Sequence, residues 1–248
     1  MTAPLFLVDP GALDGLGPDD VVELTGAEAH HAATVVRLRA GEEVLVADRS
    51  GARVRSVADS VAPGLVALRV TGRADEPAPS LRLTLVQALA KDGRDEDAVE
   101  AVTELGVDGV LPWQADRSIV RWKGPKVDKG LRKWANVIER AAKQSRRGRW
   151  PDLGDLVTTP SLAQRCAQEG VTPFVLHEEA TTPLATVELP AAGEILLVVG
   201  PEGGISPQEI DRLVEAGAVP VRLGSTVLRA SSAGPAAVAA ISTRTRWR

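Results

Sequence analysis

Two glycine turns and one arginine carry the most chemically suggestive spacing in this chain. Gly200-Pro-Glu-Gly-Gly204 closes the apolar run Ile195–Val199, and Gly224 closes a second run, Val219–Leu223. Glycine permits backbone conformations closed to other residues and lets a ligand approach the main chain. A third run, Phe174–His177, ends in the polar pair His177-Glu178. Leu228-Arg229 follows the second glycine turn, which puts a cation next to it. Turns at the carboxyl ends of strands are where open α/β sheets bind ligands. The pattern is not the dinucleotide fingerprint, and no Gly-Lys-Ser/Thr phosphate loop exists. None of the three histidines suggests a Ser/His/Asp arrangement.

A second feature is electrostatic. Between Arg117 and Arg149 twelve Lys and Arg face only two acids, Asp128 and Glu139, in a chain whose net charge is −4. A local field of one sign attracts a polyanion whatever the total. Lys91, Arg94, Lys143, Arg146, Arg147 and Arg149, with Arg37 and Arg39 nearer the N-terminus, are the candidate contacts to the phosphates of a nucleic acid. His30-His31 reads as a surface pair and Cys166 as a core residue.

These residues need elements to place them. Residues 5–8, 21–24, 43–47, 53–57 and 65–70 are short strand candidates, with a hairpin turn at Asp48–Gly51. One helix interrupts them, with Thr25 as N-cap and Glu28 completing a capping box. Residues 73–80 are polar, contain two prolines, and read as a linker. Beyond them strands at 81–89, 107–111, 174–177, 195–199 and 219–223 alternate with helices at 92–105, 162–169 and 233–242. That alternation predicts a parallel sheet with helices on both faces. Leu131, Trp134, Ile138 and Ala141/Ala142 predict a helix in the basic segment with an inward apolar stripe. Ser206-Pro207-Gln208-Glu209 predicts a capped helix start, and Gly217 its end.

The 248 residues allow two domains, and 44% hydrophobic content a real core, built mainly from Val, Leu and Ala. One cysteine excludes an internal disulfide, and with three histidines it argues against a zinc cluster. No stretch approaches the roughly 18 apolar residues of a membrane span. The N-terminus lacks a signal-peptide pattern, and the low cysteine use fits a cytoplasmic location.

Several motifs together resemble the bacterial 16S rRNA uridine-N3 methyltransferase family of the SPOUT superfamily, over essentially the whole chain. They are Leu24-Thr-Gly-Ala-Glu-Ala-His-His31 with Val36-Arg-Leu-Arg39, Ala90-Lys-Asp-Gly-Arg94, Thr103-Glu-Leu-Gly106, Leu111-Pro112, Arg117-Ser118, Ala141-Ala-Lys-Gln-Ser145, His177-Glu178, Gly200-Pro-Glu-Gly-Gly204, and Leu223-Gly with Leu228-Arg229. One departure stands out. The family usually follows that Leu-Arg with Thr-Glu-Thr-Ala, whereas this chain has Ala230-Ser-Ser-Ala233, so a carboxylate is missing.

The resemblance implies an α/β fold in two domains. Residues 1–72 would form a PUA-like RNA-binding β-barrel, 73–80 a linker, and 81–248 a SPOUT domain with a trefoil-knotted parallel sheet. It implies S-adenosylmethionine as methyl donor, a homodimer, 16S rRNA or the 30S subunit as partner, and neither metal nor membrane. Leu176, His177, Glu178, Val199, Gly200, Pro201, Gly203, Gly204, Leu223, Gly224, Val227, Leu228 and Ser231 would hold the cofactor. Arg229 would stabilise charge on the uracil, and either Glu202 or a water would take the proton. Two other readings stay open at this point: a related knotted enzyme acting on a ribose 2′-hydroxyl or another RNA, and a non-catalytic RNA-binding assembly factor.

Overall fold

The computed structural model describes residues 3–62 and 64–247. It divides into two compact units, residues 1–78 with 142–150, and residues 79–141 with 151–248.

The first unit is a five-stranded sheet built from β1 (Leu5–Leu7), β2 (Val21–Thr25), β3 (Glu43–Ala47), β4 (Arg53–Ala62) and β5 (Leu65–Arg73), in the order β1-β3-β4-β5-β2. β1 runs parallel to β3, and the other neighbours are antiparallel. Alternating residues such as Val22, Leu24, Val66, Leu68 and Val70 point into one core with Phe6 and Leu13. This is the period-2 burial of a sheet with one wet face. Two register shifts between β4 and β5 mark bulges, which increase local twist.

The expected single helix after β2 is broken in two. α1 covers Gly26–His30, a π-helical turn covers His31–Val36, and Arg37 is left-handed at φ 58°. Thr25 makes no side-chain cap. Glu28 is drawn away from the capping box by distant partners. One carboxylate oxygen accepts the Leu7 N–H at 3.1 Å, and the other pairs with Lys143 Nζ at 2.9 Å.

Residues 148–150 dock on the Asp48–Gly51 turn. The Gly148 and Arg149 N–H groups both donate to Glu76 Oε2 (3.0 and 3.1 Å), and the Trp150 N–H donates to the Arg49 carbonyl at 3.0 Å. The Arg49 guanidinium lies 4.7 Å above the Trp150 ring, a cation–π contact. Gly51, at φ +105°, has no room for a Cβ, which would stand 2.4 Å from the Glu76 carbonyl oxygen. Asp48 is fully buried in the same turn. Burial pushes its pKa up, but hydrogen bonds from Ser50, Gly11 and Ala52 outweigh that and hold it below the ordinary value. Asp75 and Glu76, expected in a polar linker, are therefore bound into this unit.

The second unit is a seven-stranded parallel sheet. β6 (Leu81–Ala88), β7 (Gly109–Gln114), β10 (Val171–Leu176), β11 (Gly193–Val199) and β12 (Val219–Val221) are joined by two-residue strands β8 (Asp152–Leu153) and β9 (Val157–Thr158), both paired to β7. The order is β12-β10-β11-β6-β7-β8. α4 (Thr159–Cys166) and α5 (Pro207–Glu215) cover one face over Val86, Ala88, Trp113, Leu196 and Val198. α2 (Arg94–Glu104) packs against α6 (Ala230–Thr245), and both contact β6. α3 (Pro125–Gln144) buries Gly130, Trp134, Val137, Ile138 and Ala141 at spacings of three and four, leaving most of its cations exposed. Among the described residues no helix is long and apolar enough to cross a membrane.

Candidate active site

β10, β11 and β12 lie side by side and parallel, so their carboxyl ends share one edge of the sheet. The chain leaving each of them contributes to one cavity of about 320 Å³. Leu176, His177 and Glu178 come from β10, Val199–Glu202 with Gly204 and Ile205 from β11, and Val227–Ala230 with Ala233 from beyond β12. A smaller hollow of about 80 Å³ shares His177, Glu178, Val227 and Leu228 and adds Leu223 and Gly224. The His177 N–H donates to the Val221 carbonyl and the Arg222 N–H to the Thr182 carbonyl, both at 2.9 Å, which stitches two of the three loops together.

The β11–α5 turn is fixed from several sides. Gly204 is left-handed at φ +72°, and a Cβ on Gly200 would fall 2.6 Å from Ile205 Cγ1. Ser206 and Glu209 form the expected capping box. Glu209 is almost wholly buried and does more than cap. Its Oε1 also accepts the Asp116 N–H (2.9 Å) and the Thr159 hydroxyl (2.7 Å), while Asp116 Oδ2 accepts the Ser206 hydroxyl at 3.2 Å. The Trp113 indole N–H donates to Thr159 Oγ1 at 3.2 Å, and Arg117 Nη1 donates to the Gly203 carbonyl at 3.1 Å. A turn held this way is preorganised for a ligand.

The polar lining is sparse. Glu202 Oε1 accepts the Lys91 N–H at 3.2 Å and pairs with Arg94 Nη1 at 3.3 Å. Arg229 is exposed at the rim, and among the described residues its guanidinium makes no hydrogen bond or ion pair. No group of three or more His, Cys, Asp or Glu is placed to hold a metal among the described residues. Apolar walls with a few convergent polar groups, at this volume, suit a nucleoside-sized ligand.

Most residues expected at the cofactor line one of these two hollows, but two do not. Gly203 turns its α-carbon toward Arg117, whose Cβ lies 3.2 Å from where a glycine side chain would begin. Ser231 sits in the first turn of α6, whose cavity-lining residues are Ala230 and Ala233. Arg94, expected on RNA, lies in the cavity wall, because the α2 start faces Glu202. Ile205, Val221, Arg222, Thr226, Ala230 and Ala233 were missed; all but Arg222 are small or apolar and carry no chemical signal in sequence, and Arg222 lies outside any charge cluster. Of the remaining cations, Arg37, Arg39 and Arg146 are exposed. Lys143 pairs with Glu28, and the Arg149 guanidinium donates to the Glu76 carbonyl, so both serve the first unit. Arg147 is half-buried and its N–H donates to the Ala142 carbonyl.

A parallel sheet whose strand ends surround such a cavity, in a chain that also carries a β-rich unit, defines a class. Residues 76–242 match the profile of an RNA methyltransferase domain, and residues 24–55 that of an RNA methyltransferase PUA domain. Ribosomal RNA small subunit methyltransferase E of Mycobacterium bovis is 45% identical over 251 residues, covering 100% of this chain and 94% of that protein. The Bacillus subtilis protein of the same name is 30% identical, covering 90% of each. A solved Neisseria gonorrhoeae structure of a ribosomal RNA small subunit methyltransferase E, bound to S-adenosyl methionine, superposes with a TM-score of 0.84 at 24% identity over 98% of each chain. This chain belongs to the family of ribosomal RNA small subunit methyltransferase E.

Proposed function

We propose that this protein methylates N3 of a uridine in 16S rRNA of the 30S subunit, using S-adenosylmethionine, and works in the cytoplasm as a homodimer. The observation that carries this reading is the meeting of three strand-end loops at one cavity with an exposed arginine on its rim, in a chain of this family. Leu176, Val199, Ile205, Val227 and Leu228 offer an apolar slot, and the Gly200–Gly204 main chain offers hydrogen bonds. The cofactor, when bound, supplies an electrophilic methyl group on a positively charged sulfur.

The protein's own work is then positioning and charge. Uridine N3 becomes nucleophilic as its proton leaves, and the charge spreads onto the flanking O2 and O4. Arg229, with no partner among the described residues, is suited to receive that charge. Glu202 has its charge answered by Arg94 already, so we read it as the anchor of the turn and assign the N3 proton to water.

Two further parts of the reading have structural support. Val227 is 77% exposed and Leu228 39% exposed at the cavity mouth, which suits coverage by a second copy. After β12 at the sheet edge the chain returns to α6 against β11 and β6, a path that suits a trefoil knot around the cavity loops. The test is methyl transfer to 30S subunits lacking the mark, with nucleoside mass analysis. A methyl on N3 is expected, and a ribose 2′-O-methyl would overturn the assignment. Arg229→Ala should lower kcat by about 10²–10³-fold, while calorimetric affinity for S-adenosylmethionine changes little. Unchanged kcat would remove Arg229 from the mechanism.

A further inference from the structure

Asp95 is a buried carboxylate that the reaction does not use, 3% exposed at the second residue of α2. It stands behind the loop Ala90–Arg94, which reaches the cavity. That loop contains two successive left-handed residues, Asp92 (φ 58°) and Gly93 (φ 77°). Such a turn persists only where its surroundings hold it. Asp95 supplies the hold. Its Oδ2 accepts the Ala90 N–H at 3.3 Å, and its Oδ1 accepts the Glu96 N–H at 3.0 Å. From the loop so fixed, the Lys91 N–H and the Arg94 guanidinium both reach Glu202 Oε1. Glu202 belongs to the Gly200–Gly204 turn, which lines the cavity.

We propose that Asp95 is a positioning residue: it fixes the Ala90–Arg94 loop so that Lys91 and Arg94 hold Glu202, and through Glu202 it shapes the cofactor cavity. The functional half rests on the cavity taking S-adenosylmethionine. Protonation should then loosen the clamp. Burial pushes the Asp95 pKa up to about 6, the Ala90 N–H bond opposes that, and the neighbouring Glu96 charge adds to the rise. The other charged groups near this end are Lys91 and Arg94 on the loop, Glu202 across it, Lys133 of α3, which pairs with Glu96 at 2.6 Å, and Arg229 at the start of α6. The remaining cations of α6 and β6 have other partners: Arg244 binds the Leu184 and Val187 carbonyls, and Arg82 binds the Asp108 carbonyl.

The experiment compares the full-length parent with Asp95→Asn by amide hydrogen exchange without ligand and by calorimetry with S-adenosylmethionine. We expect exchange at Ala90 and Lys91 to rise at least about tenfold in Asp95→Asn while the β6 interior stays protected. Cofactor Kd should weaken about fivefold at pH 8, KM should move more than kcat, and the parent's loss of affinity between about pH 7 and pH 5 should flatten in the variant. His177 is present in both proteins and cancels in that comparison. Equal exchange at Ala90 and Lys91 overturns the proposal, whether or not ligand binds. Faster exchange with equal Kd overturns its functional half. A parent that binds no S-adenosylmethionine overturns that half and the cavity assignment together. Should Asp95→Asn fail to fold, Glu202→Gln gives the second reading. It should speed exchange at Lys91 but not at Ala90, and equal effects at both would overturn the proposed order of support.

Discussion

A single buried charge can work against the fold while serving the site, and Asp95 shows the sign. Its pKa is about 6 in the folded chain against an ordinary 3.8. Between those values the folded state holds more protons than the unfolded one, so stability falls as pH rises. At 1.36 kcal/mol per unit the total is on the order of 3 kcal/mol. Urea unfolding of the parent relative to Asp95→Asn, at about pH 4.5 and pH 7.5, should show the parent losing most of that difference. A pH-independent difference would contradict it. Residue types were readable here, but partners were not. Lys143 and Arg94 read as phosphate contacts, but their pairing with Glu28, 115 positions away, and with Glu202, 108 positions away, was not readable. No local pattern reports such distances.

Among the elements, the same four-residue signal succeeded once and failed once. Ser206-Pro-Gln-Glu209 forms its box because Glu209 finds the Asp116 N–H and the Thr159 hydroxyl in the same place, so tertiary and local bonds agree. Thr25-Gly-Ala-Glu28 does not, because Glu28 has better-placed donors in Leu7 and Lys143. The helix it was meant to start is shortened and underwound into a π-turn. The main parallel strands were legible from their apolar runs, whereas β8 and β9, at two residues each, are too short to carry a period. Glu209→Ala should cost about 3 kcal/mol, since it strands buried donors on three elements. It should also weaken S-adenosylmethionine binding by loosening the turn. Calorimetry and urea melts check both, and a loss below about 1 kcal/mol would mean that water satisfies those donors.

For the molecule as a whole, two β-rich and α/β parts were readable from the switch in hydrophobic period, and the assignment of 142–150 was not. That stretch groups with the first unit through Glu76, Arg49 and Glu28, partners that no linear reading selects. RNA affinity should fall with salt, and Arg146→Ala should reduce the slope by about 0.7 to 0.9, the share of one phosphate contact. An unchanged slope would remove Arg146 from the interface. The parallel sheet has a further consequence for synthesis. Thr84 and Glu194 touch in the middle of the sheet, yet 110 residues separate them. β6 can pair with β7 early, but its other neighbour, β11, does not exist until translation has passed residue 193. A ribosome carrying half of this chain holds an unfinished sheet whose centre waits for its neighbour, so maturation of the second unit should come late and in one cooperative event.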